Sequence, residues 1–284
     1  MERIAVVTDT GSNLSFAQAK ELGIYLLPLQ ITIDETTYQD TLEISTQDIY
    51  NELANGKMPK TSMAAYQKIY DLFEELKKDY DTIFAVPLTN GLSTNASTMQ
   101  SIARELEMNV HVIDMYATCA LEKHVAIWIK KLVDEHKSSE EILKIIQPAI
   151  DKSNSLILVK NLQHLKRGGR LTPMAAALAG LLKIYPALHI NKSTEGRIDV
   201  LNKVRTEKRA DAYAIDKIMD DIDIQHTHIY IIHSNFLEGA DHFKKCFIEK
   251  GVPEQNIHID YISSVIAVHT GLGCIAIQYI REEN

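Results

Sequence analysis

Short apolar runs alternate with helical periodicities through the first half of the chain. Most runs are followed by a polar turn and then by apolar residues three and four positions apart, as at 66–78, where Ile69, Phe73 and Leu76 share one helix face. Ser45 or Thr46 is the predicted N-cap of an earlier helix. The pattern predicts strands at 4–7, 24–33, 82–86 and 110–113, and helices at 15–22, 45–53, 66–78, from about 93, and 121–135. Repeated strand–helix units predict a parallel sheet with helices on its faces.

The pattern changes near residue 154. A strand at 156–159 precedes an apolar, Ala-rich helix at 174–182, and a hairpin joins 188–190 to 199–204. Helices at 209–222 and 238–250 are followed by strands at 227–233 and 256–261. We therefore predict a two-lobed α/β fold, with an N-terminal parallel-sheet α/β domain over 1–153 and a C-terminal α+β domain with a mixed sheet over 154–284.

Residues 261–280 carry no Lys, Arg, Asp or Glu and raise the question of a membrane span. Ser263, Ser264 and the turn at 269–271 divide this stretch into two short apolar runs, whereas a spanning helix needs about 20 predominantly apolar residues. Two buried strands, or a strand and a helix, fit the pattern better. The N-terminus lacks the features of a signal peptide. We expect a cytoplasmic protein with at most transient membrane contact.

Composition narrows the function classes further. The 284 residues carry a formal net charge of −8, with 45% hydrophobic and 24% charged residues, which is typical of a globular protein and unfavourable for broad contact with nucleic acid phosphates. Cys119, Cys246 and Cys274 form no CxxC pair, and the 11 histidines show no metal-ligand spacing. We expect a reducing compartment, no metal, no cofactor and no nucleic acid partner.

Candidate ligand-binding loops follow the predicted strands, because open α/β sheets bind ligands beyond the carboxyl ends of their strands. These loops are 8–13, 87–93 and 114–118. The second leads into a helix N-terminus, where free N–H groups and the helix dipole favour an anion. Ser93 is therefore either a simple N-cap or an anion ligand. Thr61 has the same two interpretations: Thr61 or Ser62 caps a helix from Met63 onward, or Thr61 helps to bind the same anion.

Two basic segments and one histidine are open to interpretation. Residues 166–170, KRGGR, form either a solvated turn or a site for a phosphate or an acidic partner, because guanidinium groups bind oxyanions bidentately. A second basic cluster at 203–209 includes Arg205. His269 is either a core residue or part of a functional turn at 269–273. Ser93 lacks the Gly-x-Ser-x-Gly context of a serine hydrolase, and the sequence has no Walker or GxGxxG motif.

Taken in order, these segments resemble the motifs of the DegV family over nearly the whole chain. They are VTDT at 7–10, KTS at 60–62, GLS at 91–93, VID at 112–114, LKRGGR at 165–170, KVRT at 203–206 and HTGLG at 269–273. The resemblance implies two α/β lobes with a long-chain fatty acid in a buried tunnel between them. It also implies that Thr61, Ser93 and His269 hold the carboxylate, with Arg170 and Arg205 near the head group or on a partner-facing surface.

The resemblance also implies a partner. FakB-like members of the family present their fatty acid to a separate fatty acid kinase that serves phospholipid metabolism, and are not themselves enzymes. The sequence shows neither the nucleotide site nor the metal ligands that phosphoryl transfer requires, so we assign that chemistry to the partner. Two alternatives stay open: an acyl-ester hydrolase that uses Ser93 and His269, and a regulatory module that binds a partner through residues 166–170.

Overall fold

Strands and helices alternate along most of the chain in the computed structural model, which describes residues 2–181 and 184–282. The strands are β1 Ile4–Asp9, β2 Tyr25–Leu27, β3 Gln30–Ile33, β4 Thr36–Gln39, β5 Lys60–Ser62, β6 Thr82–Val86, β7 Asn109–Val112, β8 Asn154–Leu158, β9 Tyr185–Ile190, β10 Asp199–Val204, β11 Thr227–His233, β12 Ile257–Tyr261 and β13 Ile275–Arg281. The helices are α1 Phe16–Leu22, α2 Thr46–Ala54, α3 Tyr66–Leu76, α4 Asn95–Glu105, α5 Ala120–Asp134, α6 Ser139–Lys152, α7 Leu162–Arg167, α8 Pro173–Leu178, α9 Glu207–Asp221, α10 Leu237–Glu249 and α11 Ser264–Thr270.

Three sheets organise these elements. In the N-terminal half, β2, β1, β6 and β7 form the predicted parallel sheet, in that order. In the C-terminal half, β10, β9, β8, β13, β11 and β12 form a mixed sheet whose described pairs are antiparallel except for β11 with β12. A small antiparallel sheet of β4, β3 and β5 has no counterpart in the prediction. The predicted fold class is confirmed.

Several local predictions need correction. The strand predicted over 24–33 is two strands, because the chain leaves the parallel sheet at Pro28 and continues in the small sheet as β3. The helix predicted over 174–182 is α8, which ends at Leu178, and residue 182 lies outside the described residues. Helices α6 and α7 have no counterpart among the predicted helices. Residues 261–280 contain a helix, α11, and a strand, β13, which is one of the two expected arrangements.

No helix in the described part of the chain combines the length and the apolar character that crossing a membrane requires.

Helix α5 joins the two large sheets. It packs on β1 and β6 of the parallel sheet and also contacts β11 and β13 of the mixed sheet. Ile280 of β13 is buried in one cluster with Val125 and Ile129 of α5. Val265 and Val268 of α11 are buried with residues of the parallel-sheet layer. The buried apolar clusters therefore combine residues from both sides of the predicted boundary at residue 153. The division into two domains stays a prediction.

Candidate functional site

A cavity of about 420 Å³ lies where elements from both halves of the chain meet. Strand β5, the loop after β6, the segment around Arg170 and helix α11 supply its walls. Thr61, Ser93, Arg170 and His269 line it. Its apolar lining comes from Leu29, Met63, Leu88, Leu92, Ile198, Val265 and Ile266. The structure therefore brings together four of the five residues singled out in the sequence, whereas Arg205 lies elsewhere.

Thr61 reaches the cavity from a strand. It pairs with Ile31 of β3, and its Oγ1 lies 2.7 Å from His269 Nε2 in a hydrogen bond. The interpretation of Thr61 or Ser62 as a helix cap is wrong, because pairing with β3 holds residues 60–62 extended and helix α3 begins only at Tyr66. Thr61 therefore lines the cavity and does not cap a helix.

His269 is a neutral imidazole at physiological pH. Burial, followed by the charge of Arg170, lowers its pKa to about 3, although a hydrogen bond with the Gly168 backbone acts in the opposite direction. The approach is close, because a Cβ on Gly168 would lie 3.0 Å from His269 Nδ1. His269 is therefore an uncharged, hydrogen-bonded group in the cavity wall.

Ser93 lies at the entrance to helix α4. Its Oγ accepts a hydrogen bond of 3.2 Å from the Asn95 N–H, while Thr94 occupies the N-cap position without a capping bond from its side chain. The capping interpretation is thus partly correct. It does not exclude the ligand interpretation, because a hydroxyl that accepts one bond still has its proton to donate, and Ser93 lines the cavity.

The basic segment at 166–170 is divided between the surface and the cavity. Lys166 and Arg167 are exposed in the last turn of α7. Arg170 is half-buried, lines the cavity and donates from Nη1 to the Gly168 carbonyl oxygen at 2.6 Å, and burial lowers its pKa. Arg205 is exposed beyond the end of β10. Only Arg170 of these cations is placed to meet a ligand in the cavity.

Comparison with known proteins identifies the family of the chain. The model of the DegV family matches residues 3–282. The chain belongs to the DegV family. A DegV domain-containing protein of Halalkalibacterium halodurans is 30% identical to it over 289 residues, which cover 100% of both chains. A DegV domain-containing protein of Staphylococcus aureus is 28% identical over 283 residues, which cover 99% of this chain and 100% of the relative.

Solved DegV structures share the whole fold. The fatty acid binding DegV family protein from Streptococcus agalactiae matches with a TM-score of 0.91 at 28% identity, over 100% of both chains. DegV from Bacillus subtilis, described as a fatty acid binding protein, matches with a TM-score of 0.87 at 26% identity, over 99% of this chain and 100% of that chain. The two-sheet architecture is therefore that of the DegV fold.

Asp9 anchors the loop that carries Ser93 in this DegV chain. Its Oδ2 accepts hydrogen bonds from the Leu88 N–H at 2.9 Å and from Asn95 Nδ2 at 2.7 Å, and its Oδ1 accepts one from the Gly11 N–H at 2.8 Å. Asp9 is fully buried at the end of β1. Both ends of the Ser93 loop are thereby tied to one fixed carboxylate.

Glu122 is a second fully buried carboxyl group beside Asp9. Burial raises the pKa of both groups, and the charge of Asp9 raises the pKa of Glu122 further, which favours the protonated form of Glu122. Its Oε1 accepts a hydrogen bond from Thr8 Oγ1 at 3.2 Å. The sequence analysis missed Glu122, although an acidic residue beside Leu121 and Val125 on the apolar face of the predicted helix was a usable signal.

A second, narrow cavity of about 30 Å³ lies beside the first in this DegV fold. The two share Leu92, Ile198, Ile266 and Thr270 in their walls. Apart from these, the narrow cavity is lined by the apolar Ile157, Ile190, Ile232, Ile262, Cys274 and Ala276 and by the polar Thr118, Ser155 and Gln278. Apolar side chains of the mixed sheet therefore line a space directly beside the polar cavity.

Two glycines allow the halves of the chain to touch beside the cavity. A Cβ on Gly91 would lie 2.2 Å from the carbonyl carbon of Gly196, and a Cβ on Gly196 would lie 2.1 Å from Thr89 Oγ1. Gly196 also has a φ of +70°, which favours glycine. Any larger residue at either position would push the Ser93 loop away from the turn that contains Gly196.

Proposed function

We propose that this DegV protein binds a long-chain fatty acid in the cavity between the two halves of the chain, with the carboxylate against Thr61, Ser93 and His269. One observation carries the proposal: two hydroxyls and a neutral imidazole converge on a cavity with an apolar lining, and a second, narrow apolar cavity lies beside it. The relatives from Streptococcus agalactiae and Bacillus subtilis are fatty acid binding proteins by name, which supports the same ligand class here.

The two ends of a fatty acid need different surroundings, and the cavity offers both. Each methylene contributes about 0.8 kcal/mol when it leaves water for an apolar passage. A carboxylate removed from water must be hydrogen-bonded or neutralised. Ser93 offers one hydrogen bond. The Thr61–His269 pair offers another, because a hydroxyl and a neutral imidazole hold two protons and their mutual bond uses one. Arg170 offers the charge, because a guanidinium carries five N–H groups and the bond to the Gly168 carbonyl uses one.

We infer further that the protein is a cytoplasmic carrier that presents the carboxylate to a separate fatty acid kinase, which performs the phosphoryl transfer. Arg205 suits the surface that faces this kinase. Ile198 lines the cavity, and Arg205 lies at the other end of strand β10. The extended strand separates the two residues by about 20 Å, which is too far for Arg205 to contact the head group. The Arg205 side chain is exposed, as recognition by a partner requires.

The geometry favours a carrier over an acyl-ester hydrolase. A serine hydrolase needs an imidazole that accepts the serine proton, and His269 Nε2 is engaged with Thr61 Oγ1. With its pKa lowered to about 3, His269 is also a weak base at neutral pH. The regulatory-module alternative loses part of its surface, because Arg170 lines the cavity.

Native mass spectrometry of the purified protein, before and after delipidation and addition of palmitic acid, tests the proposal. We expect one fatty acid per chain, weakened by Ser93→Ala. The matched control is Ser97→Ala, which removes an exposed hydroxyl one turn into the same helix. Protein that stays empty with added fatty acid would overturn the proposal. Ester turnover that disappears in Ser93→Ala would favour the hydrolase.

A further inference from the structure

Polar side chains interrupt the apolar face of the mixed sheet deep in the molecule. Side chains two residues apart on a strand share a face, and Cys274, Ala276 and Gln278 all line the narrow cavity. Ala276 lies opposite Ile157, and Gln278 lies opposite Ser155. The lining therefore changes from the small side chains of Cys274 and Ala276 to the large amide of Gln278. Ala276 and Gln278 are only about 7 Å apart along the strand.

Gln278 has no hydrogen-bond donor to offer a ligand. Its Nε2 donates to the Thr118 carbonyl oxygen at 2.9 Å and to Ser155 Oγ at 3.0 Å, which uses both amide protons. Its Oε1 accepts a bond of 3.3 Å from the Leu121 N–H at the start of α5. The side chain is 1% exposed. These hydrogen bonds hold the Gln278 side chain in place and link β13 to the loop that precedes α5 and to the first turn of α5.

We propose that Gln278, held by Thr118 and Ser155, is the end wall of the acyl passage and sets the longest chain that the protein accepts. The inference rests on the proposed fatty acid binding. Cys274 and Ala276 present only small side chains to this cavity, so a tail that enters it meets little bulk before Gln278. A terminal methyl group cannot displace Gln278, because the Thr118 carbonyl and the Leu121 N–H would be left buried without partners.

Competition among chain lengths tests this wall. Delipidated full-length protein is offered equal amounts of myristic, palmitic, stearic and arachidic acids, and the bound acids are quantified. Gln278→Ala opens space beyond the wall. Each added methylene that is buried is worth about fourfold in affinity, and the next acid in the series is two methylenes longer. The ratio of that acid to the wild-type favourite is therefore expected to rise by roughly 15-fold. Ala276→Val narrows the passage before the wall and is expected to shift the ratio toward shorter acids.

Two further variants separate length selection from general damage. Gln278→Leu keeps the bulk of the wall without its amide, and we expect a lower unfolding temperature with the wild-type chain-length profile. Gln225→Ala removes an exposed glutamine side chain and is the matched control. If Gln278→Ala does not fold, Gln278→Asn, which keeps the amide and shortens the side chain by one methylene, replaces it in the comparison.

The outcomes distinguish the two levels of the proposal. Wild-type protein that binds none of the acids overturns the fatty acid function itself. Wild-type protein that binds them, together with folded variants whose chain-length profiles are unchanged, overturns the end wall and leaves the carrier function in place. Opposite shifts in Gln278→Ala and Ala276→Val support both.

Discussion

Thr61 and His269 are 208 residues apart in the sequence, yet Thr61 Oγ1 and His269 Nε2 share a hydrogen bond of 2.7 Å. Thr61 comes from the edge strand of the small antiparallel sheet, and His269 comes from the last turn of α11. The bond therefore joins the two halves of the chain at the cavity wall. In the proposed complex the same pair receives the carboxylate of the fatty acid.

Removal of the Thr61 hydroxyl is expected to weaken binding with little change in shape. Thr61→Val keeps the β-branched side chain that suits β5. Because a hydrogen bond to a charged group is worth about 1.5–3 kcal/mol, the affinity for palmitic acid should fall by roughly 10- to 100-fold. Titration calorimetry measures the change. Thr36→Val, an exposed position in β4, is the control that should bind normally. Wild-type affinity in Thr61→Val would exclude Thr61 as a ligand.

Arg170 and Arg205 are expected to separate binding from presentation. Arg170→Gln removes the cation that lines the cavity and should weaken fatty acid binding. Arg205→Gln changes an exposed residue outside the cavity and should leave that affinity unchanged while it slows phosphorylation of the bound acid by a fatty acid kinase. The measurements are palmitic acid affinity and the initial rate of acyl-phosphate formation. Equal loss of affinity in both variants would contradict this division.

Gly91→Ala is expected to destabilise the contact between the halves of the chain. The new Cβ would lie 2.2 Å from the Gly196 carbonyl carbon, so one loop must move. Overpacking of this kind costs about 1–3 kcal/mol, which urea unfolding can detect. Gly180→Ala is the matched control, because no atom lies within 4 Å of its Cβ position. A fully stable Gly91→Ala protein would show that this contact yields without strain.

The buried neutral state of His269 predicts a loss of stability in acid. Its folded-state pKa of about 3 lies below the usual value of 6.5, so its contribution is fully present above about pH 6.5 and is lost as the pH falls toward about 3. Relative to His269→Gln, the wild type should lose about 2 kcal/mol of unfolding free energy between about pH 7 and about pH 5. Parallel pH profiles for the two proteins would contradict the lowered pKa.

Local patterns were sufficient for much of the fold. The predicted cap Ser45 accepts a hydrogen bond from the Asp48 N–H at 3.1 Å, and Asp48 returns the contact in a capping box. The apolar face of Ile69, Phe73 and Leu76 is buried in α3. Such features depend on residues three or four positions apart, so the sequence displays them directly. Strand β5 was missed because its three residues become a strand only through pairing with β3.

The sequence by itself determined the fold class and, through its ordered motifs, the family and the residue types of the candidate site. Only the tertiary structure decided which of these residues meet: it gathered Thr61, Ser93, Arg170 and His269 at one cavity and left Arg205 on the surface. It also decided their charge states, since burial keeps His269 neutral. Distance and desolvation arise from packing between segments that are remote in the chain, and no local pattern encodes them.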